Sequence, residues 1–201
     1  MLRTIVRPLV LVSLAVALAT PWVRAQEKDL RTITASKTED TSAKDFGGCS
    51  FACATSWKLR VSSSLPPQSG SRYDATQLED LRNDTAWASR GKGEFIEVTF
   101  EGHPDTKAWQ APLRGFRLVN GYAKSPSLFE KNSRVKTLRV DHNGKPLFLA
   151  RLLDTSAVQA VSFPDLRIHA GDRLRLTIVD IYPGSKYPDT CISDIIFDGG
   201  H

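Results

Sequence analysis

Two polar segments of the chain mix aromatic rings with planar polar side chains: Asn120–Arg134 (NGYAKSPSLFEKNSR) and Asp180–Cys191 (DIYPGSKYPDTC). A flat ring can cover the C–H face of a sugar, while Asn, Asp and Arg can bond its hydroxyl groups. The same mixture also occurs where loop side chains only cover the end of a domain, so both interpretations stay open. The candidate ligand-binding residues are Trp87, Asn120, Tyr122, Asn132, Arg134, Tyr182, Tyr187 and Asp189.

A third segment, Leu78–Trp87 (LEDLRNDTAW), carries oxygen-bearing side chains of the kind that bind a hard cation such as calcium. Asp80 is followed by Thr85, and the loop then runs into a strand. The alternative is an Asx-type turn in which Asp80 and Asn83 bond their own backbone, with Trp87 in the core. The segment alone does not decide between the two.

Catalytic signatures are missing from the sequence, which has no G-x-S-x-G, H-E-x-x-H, P-loop or G-x-G-x-x-G motif. The histidines, His103, His142, His169 and His201, fall in predicted turns or at the end of the sequence. No pair of carboxylates is set in an apolar context that would separate their pKa values, as general acid–base catalysis requires. We therefore predict that the chain is not an enzyme.

Short strands must position these segments, because apolar and polar residues alternate along most of the chain without a sustained helical period. The predicted strands are Trp57–Leu65, Glu94–Phe100, Leu113–Val119, Val135–Asp141, Pro146–Leu153, Ala160–Phe163, Arg173–Val179 and Ile192–Phe197. Asn143-Gly144 between two of them predicts a hairpin. The strand aromatics predicted to lie in the core are Trp57, Phe95, Phe100 and Phe197. This pattern predicts an all-β sandwich or barrel.

The first 48 residues differ from the rest. Residues 1–25 have a basic start, an apolar run too short to span a bilayer, and small residues before Gln26, which predicts a signal peptide. Residues 26–48 are polar and predict a flexible leader, so the folded domain is placed at 49–201. Removing the three arginines of the signal peptide from the 27 basic residues leaves 24, against 22 acidic residues. That balance does not indicate a nucleic-acid partner, and no later segment predicts a membrane span.

Several blocks stand in an order that resembles a known family. They are VSSSLPPQSGSRYDATQLEDLRNDTAW (61–87), GEFIEVTF (93–100), NGY (120–122), KNSRVK (131–136) and DIYPGSKYPDTCISDIIF (180–197). Together they resemble the NADase-type glycan-binding domain, the discoidin-like module that accompanies bacterial NAD glycohydrolase toxins and occurs alone in exported bacterial proteins. The resemblance covers roughly 57–198. It implies a galactose-binding-like jelly-roll β-sandwich that binds glycans or delivers a partner domain. The leader is too short for the NAD-cleaving domain, so no NADase activity is implied.

Two departures from the family concern the cation loop. Family members commonly have Gly where this chain has Leu81, which bears on the shape of the loop. The usual Glu of the final strand is Asp194 here, a shorter arm for a cation or a structural bond. The resemblance thus implies a possible structural calcium held by Asp80, Thr85 and Asp194, with loop-bracing hydrogen bonds as the alternative.

The three cysteines leave one thiol over if a disulfide forms. The jelly-roll implied by the resemblance is expected to place the first and last strands side by side and antiparallel, which would bring Phe197 to Trp57. On that topology a Cys49–Cys53 bridge with Cys191 buried and free is the more economical arrangement. Zinc is disfavoured, because no histidine lies near these cysteines in sequence.

The function predicted from these observations is non-catalytic binding of a glycan or glycoconjugate by an exported module, in the periplasm, at the cell surface or secreted. The alternative is a docking or translocation module that binds a protein partner and no sugar, with the aromatic loops as its contact surface.

Overall fold

The computed structural model describes residues 29–46, 50–103, 106 and 108–200, so the predicted signal peptide lies outside the described residues. The strands are β1 (Thr32–Thr34), β2 (Ser36–Lys37), β3 (Ser56–Val61), β4 (Trp87–Ser89), β5 (Phe95–Gly102), β6 (Gln110–Asn120), β7 (Ser133–His142), β8 (Lys145–Arg151), β9 (Val158–His169), β10 (Arg173–Tyr182) and β11 (Thr190–Gly199). One helix, α1, spans Pro126–Lys131, and 3-10 turns span Ala43–Asp45, Phe51–Cys53 and Ala75–Leu78.

The strands form a jelly-roll sandwich of two layers. One layer has the order β2-β9-β6-β11, with β4 beside β11, and the other has the order β7-β10-β5-β3, with β8 beside β7 and β1 beside β8. Strands within each layer are antiparallel except for β1, which runs parallel to β8. A short parallel pairing of β11 with β7, at Thr190↔Ser133 and Cys191↔Arg134, joins the two layers. The predicted all-β fold is confirmed.

Aromatic and aliphatic side chains from both layers fill the space between them. The rings of Trp57 and Phe197 meet there, with centroids 5.5 Å apart and planes at 81°, so this predicted contact is confirmed. The prediction that the first and last strands pair side by side was wrong, because β11 pairs with β4, β6 and β7 while β3 pairs with β5. Strands in opposite layers bring side chains together through the core without sharing hydrogen bonds.

One predicted core residue lies on the outside. Ile96, Val98 and Phe100 are buried and point inward from β5, so Phe95 faces outward, between the guanidinium groups of Arg60 and Arg175. Because Phe95 and Ile96 are both apolar, the sequence does not show which of them points into the core. A shift of one residue moves every side chain of the strand to the opposite face of the sheet.

Residues 29–46 correct the prediction of a flexible leader. β1 pairs with β8 and β2 with β9, so this part of the chain adds strands to both layers. Ala43 and Phe46 are buried against Val119 and Val158, and the Arg117 guanidinium lies over the Phe46 ring at 5.3 Å. A polar strand is stable here because its backbone hydrogen bonds are made to an existing sheet edge, which composition alone does not reveal.

The segment between β6 and β7 contains a helix that was not predicted. The Ser125 hydroxyl accepts a hydrogen bond from the Leu128 N–H at 3.2 Å, and Pro126 follows as the first helical residue, which together are a typical helix start. The predicted hairpin is confirmed, since Asn143 and Gly144 both have positive φ between β7 and β8. Within the described residues, no helix is both long and apolar enough to cross a membrane.

Candidate functional site

A cavity of about 210 Å³ opens among the loops of the sandwich. Its lining comes from the segment after β3, from β4, from the start of the β6–α1 loop, from α1, and from the loop before β11. The lining residues are Leu65, Gln68, Tyr73, Ala88, Tyr122, Leu128, Asn132, Tyr187, Asp189 and Cys191. We call this cavity the tyrosine pocket. It brings together four predicted ligand residues, namely Tyr122, Asn132, Tyr187 and Asp189.

Three phenol rings give the pocket its aromatic character. Tyr73 and Tyr122 meet edge to face, with centroids 6.4 Å apart and planes at 87°. Burial raises the pKa of both phenols, which keeps their hydroxyl groups protonated and able to donate hydrogen bonds. Tyr187 is different because it is 37% exposed, one of two large hydrophobic residues exposed among those described. Its ring is therefore accessible to solvent, with Lys186 Nζ over it at 5.1 Å from the centroid.

A glycine directs Tyr122 into the pocket. Gly121 has a φ of +76°, and a Cβ at this position would lie 2.7 Å from the Phe129 ring. Only glycine combines this left-handed backbone with so close an approach. The turn after β6 is thus fixed by Asn120-Gly121, and the next side chain lies against Tyr73.

The polar edge of the pocket comes from Asp189 and Asn132. The Asp189 backbone carbonyl accepts a hydrogen bond from the Ser133 N–H at 2.9 Å, which holds the loop while no hydrogen bond ties down the carboxylate among the described residues. Asn132 Nδ2 donates to the Leu128 carbonyl at 2.8 Å, so its amide oxygen is the half left for a ligand. Gln68, exposed on the opposite side, adds a further donor and acceptor.

A second cavity of about 250 Å³ adjoins the tyrosine pocket, since Tyr122 lines both. Its other walls carry charge, from Arg72, Arg82, Asp84 and Lys124. Arg82 and Asp84 are paired at 2.8 Å. A ligand larger than one ring could therefore extend from an aromatic cavity into a charged one.

The structure contradicts the prediction of Trp87 as a ligand residue. Its side chain is fully buried, and Nε1 donates to the Ser63 carbonyl at 2.9 Å. Trp87 belongs to the core of the sandwich, as the alternative interpretation of its segment held.

Three further candidates brace the loops and do not line the pocket. Asn120 is fully buried; Nδ2 donates to the Val135 carbonyl at 2.7 Å, and Oδ1 accepts from the Val135 N–H at 3.1 Å. Arg134 makes two bonds to the Asp154 carboxylate, at 2.9 and 2.7 Å. The Tyr182 hydroxyl donates to the Leu152 carbonyl at 3.0 Å. Their hydrogen-bonding groups are used within the fold, so the structure does not support these three as ligand residues.

Tyr73, Gln68 and Leu128 line the pocket and were not predicted. Tyr73 stands in a polar stretch with no alternation, and Leu128 lies in the unpredicted helix. The one available sequence signal was the Tyr in SRYDATQ, an aromatic residue isolated among polar ones.

The predicted cation loop comes together around Asp194. Asp80 accepts from the Thr85 hydroxyl at 2.8 Å, and Leu81 has a φ of +56°, so Leu81 adopts the left-handed conformation usually left to glycine. Asp194 is fully buried and neither carboxylate oxygen has a hydrogen-bond partner of acceptable geometry among the described residues. Burial, with the nearby Asp80 charge, raises its pKa to about 8, against the lowering effect of the backbone N–H groups of Leu81, Arg82 and Ile195.

Two carboxylates and a hydroxyl fit a hard cation, and the unpartnered oxygens of Asp194 are the observation that favours one. The described residues contain no group of three or more His, Cys, Asp or Glu placed to hold a metal. A cation here would hence need backbone carbonyls or water besides Asp80, Thr85 and Asp194.

The cysteines divide as follows. Cys191 is buried and free, as predicted, and lines the tyrosine pocket; burial raises the pKa of its thiol to about 12, so the thiol stays protonated. Cys53 is exposed and free, so the structure does not support the predicted bridge to Cys49, which itself lies outside the described residues.

The family comparison covers the sandwich. The family described as the NAD glycohydrolase translocation F5/8 type C domain matches residues 51–198. The chain belongs to this family. The resemblance stated from the sequence blocks is thereby confirmed. No curated protein matches the chain in sequence.

Solved structures share the fold of this translocation-domain family member. CpGH89CBM32-5 from Clostridium perfringens, in complex with GalNAc-beta-1,3-galactose, matches at a TM-score of 0.52 and 12% identity, covering 71% of this chain and 94% of that one. The CBM32-1, CBM32-2 and M60 catalytic domains of C. perfringens ZmpB match at 0.58 and 9% identity, covering 86% and 17%. CBM32-1 and CBM32-2 of ZmpB in complex with GalNAc match at 0.54 and 9%, covering 83% and 39%. At these identities the likeness shows the fold alone.

Proposed function

We propose that the chain is an exported, non-catalytic carbohydrate-binding module whose ligand occupies the tyrosine pocket. This proposal rests on the exposed Tyr187 ring, which lies beside the polar edge formed by Asp189, Asn132 and Gln68. An aromatic face next to planar donors and acceptors suits a pyranose, which has an apolar face and a rim of hydroxyl groups.

Each part of the pocket has a role in this proposal. Tyr187 stacks on the sugar ring, and the Asp189 carboxylate accepts hydrogen bonds from two hydroxyls. The neutral phenols of Tyr73 and Tyr122 close the inner wall. The adjoining charged cavity receives a second sugar residue. The glycan complexes of structurally similar C. perfringens modules support a sugar as the ligand class.

The test is a glycan array followed by titration of the best ligand and of galactose and GalNAc, read by tyrosine and tryptophan fluorescence. Tyr187→Ala is expected to weaken binding about tenfold, since one stacking contact contributes on the order of 1 kcal/mol. Tyr182→Phe is the control, because Tyr182, the last residue of β10, does not line the pocket; it should bind as the unaltered chain does. A blank array, or unchanged affinity in Tyr187→Ala, would contradict the proposal.

A second function, docking of a protein during translocation, is favoured by the description of the family. On this alternative the tyrosine pocket receives a side chain of a partner protein, with Tyr187 as the central contact. Capture of one stoichiometric protein that Tyr187→Ala abolishes, together with a blank glycan array, would favour docking over sugar binding.

A further inference from the structure

A row of charged side chains crosses the outer face of the β3-β5-β10-β7 layer. Arg60 lies opposite Glu97, Glu97 opposite Arg175, and Arg175 opposite Asp141. Adjacent strands are separated by about 4.8 Å, so the four side chains form one line across four strands. We call this line and its neighbours Arg139 and Arg173 the arginine face.

Glu97 orients two of the arginines. Its Oε1 accepts from Arg60 Nη2 at 2.6 Å, and its Oε2 accepts from Arg175 Nη2 at 2.6 Å. Burial alone would raise the pKa of Glu97, but the hydrogen bonds from Arg175 and Arg60 outweigh it, so its pKa is lowered. Glu97 is therefore a carboxylate at neutral pH and holds both guanidinium groups at fixed positions.

The Phe95 ring lies against the guanidinium groups of the same two arginines. The Arg175 guanidinium lies 4.2 Å from the centre of the Phe95 ring, and that of Arg60 lies 5.1 Å from it. Cation–π contacts on one face of a guanidinium leave its in-plane N–H groups free to donate. Such a constraint lowers the entropy lost when a ligand binds.

A cavity of about 170 Å³ lies on this face, lined by Arg139, Arg173, Arg175, Glu97, Asp141 and Gly144. Asp141 is buried and binds the Arg139 guanidinium at 3.1 Å, as Glu97 binds Arg175. Arg173 is exposed, and its guanidinium has no ion-pair partner among the described residues. Three guanidinium groups and two carboxylates line the cavity, so the lining carries one more positive than negative side chain.

We infer that this cavity binds the sulfate or carboxylate group of an acidic glycan, with Arg173 as its free donor and Arg175 and Arg139 as pre-oriented partners. Arginine suits this ligand because its planar N–H groups match the oxygens of an oxyanion in pairs. The site lies on a sheet face and shares no residue with the tyrosine pocket, so it goes beyond the proposed function and does not depend on it.

The surroundings favour a glycan over a membrane or a nucleic acid. Peripheral membrane binding needs exposed apolar side chains beside the basic ones, and the large hydrophobic residues exposed in the described chain, Leu81 and Tyr187, lie outside the arginine face. Nucleic acid needs many phosphate contacts along a basic stripe, whereas the arginines here alternate with Glu97 and Asp141 across the strands.

The probe is dextran sulfate, with unsulfated dextran of equal length as the uncharged comparison, titrated into the full chain at low ionic strength. We expect binding of the sulfated polymer only, with an affinity that falls as salt is added. Arg173→Gln should weaken binding about tenfold, as expected for one charge-assisted hydrogen bond, and Arg173→Glu should abolish it. Polygalacturonate then tests whether a carboxylate replaces the sulfate.

Arg114→Gln is the matched control, because it removes the same charge from an exposed, ion-paired position in β6 of the other layer. It should bind within twofold of the unaltered chain, and Tyr187→Ala should bind the sulfated polymer unchanged. Equal losses in Arg173→Gln and Arg114→Gln would overturn the inference, since they would indicate diffuse charge attraction. So would Arg173-dependent binding to phosphatidylserine vesicles that exceeds binding to dextran sulfate, or no binding of any acidic polymer.

Discussion

Arg134 in β7 and Tyr182 in β10 lie close to the loop that carries Tyr187, and their residue types are similar, yet they differ from Tyr187 in what their polar atoms do. Arg134 bonds Asp154 and two backbone carbonyls, and the Tyr182 hydroxyl bonds a third. The Tyr187 ring instead stays exposed at the mouth of a cavity. Polar atoms that are satisfied inside the fold brace it, whereas those left open are available for binding. Residue type does not distinguish the two regions, and hydrogen-bond accounting does.

Among these variants, we expect the largest loss in the free energy of unfolding from Asn120→Ala, which removes a side chain that braces the loops. The change leaves the Val135 N–H and C=O buried without partners, and each lost partner costs 1–3 kcal/mol. We expect the free energy of unfolding to fall by about 3 kcal/mol in urea denaturation. Asn132→Ala is the matched control and should lose about 1 kcal/mol, because Asn132 makes one side-chain hydrogen bond, to Leu128. Equal losses would erase the distinction between bracing and pocket residues.

Asp194 combines the two kinds of residue. It is buried, as the bracing residues are, but its carboxylate oxygens have no hydrogen-bond partner of acceptable geometry among the described residues. Its pKa is raised to about 8 in the folded chain from an ordinary 3.8. The folded state therefore holds this proton more tightly, and without a cation the contribution of Asp194 to stability is largest below about pH 4 and falls as the pH rises towards 8. In chelator at pH 8, Asp194→Asn should be more stable than the unaltered chain by about 2 kcal/mol.

If Asp80, Thr85 and Asp194 hold a cation, calcium should make the unaltered chain more stable than Asp194→Asn. Added calcium should raise the Tm of the unaltered chain and leave Asp194→Asn unchanged, since a ligand that binds only the folded state stabilises it. Melting curves in which chelator and calcium coincide for both proteins would assign these residues to loop bracing alone.

The smallest effect comes from removing single hydroxyl groups. Tyr182→Phe deletes the hydrogen bond to the Leu152 carbonyl and should lower the free energy of unfolding by about 1 kcal/mol. Tyr187→Phe removes the same atom from an exposed ring and should leave the free energy of unfolding unchanged within about 0.5 kcal/mol. Thermal melts of the two variants side by side provide the measurement. A larger loss in Tyr187→Phe would place Tyr187 among the bracing residues.

The elements that the sequence determined are those whose signal is local. Alternation in β5, β6 and β10 predicted strands, and Asn143-Gly144 predicted the hairpin, because side-chain period and left-handed turn residues act over a few positions. The contact of Phe197 with Trp57 was predicted from a pairing of the first and last strands that does not occur; it forms because both side chains point into the core between the two layers. The strand pairing was not predictable, because hydrogen-bond partners are chosen among strands far apart in sequence.

The tertiary structure decided which loop residues form the pocket. Tyr73 and Tyr187 are more than a hundred positions apart, and only the packing of the loops brings them to one cavity with Tyr122. It also decided that Thr32–Thr34 and Ser36–Lys37 are strands, because their backbone is stabilised by β8 and β9 and not by their own composition. Solvent exposure and the satisfaction of polar atoms are properties of the assembled fold, so the same Tyr or Arg in sequence becomes a brace or a binding group only when its neighbours are fixed.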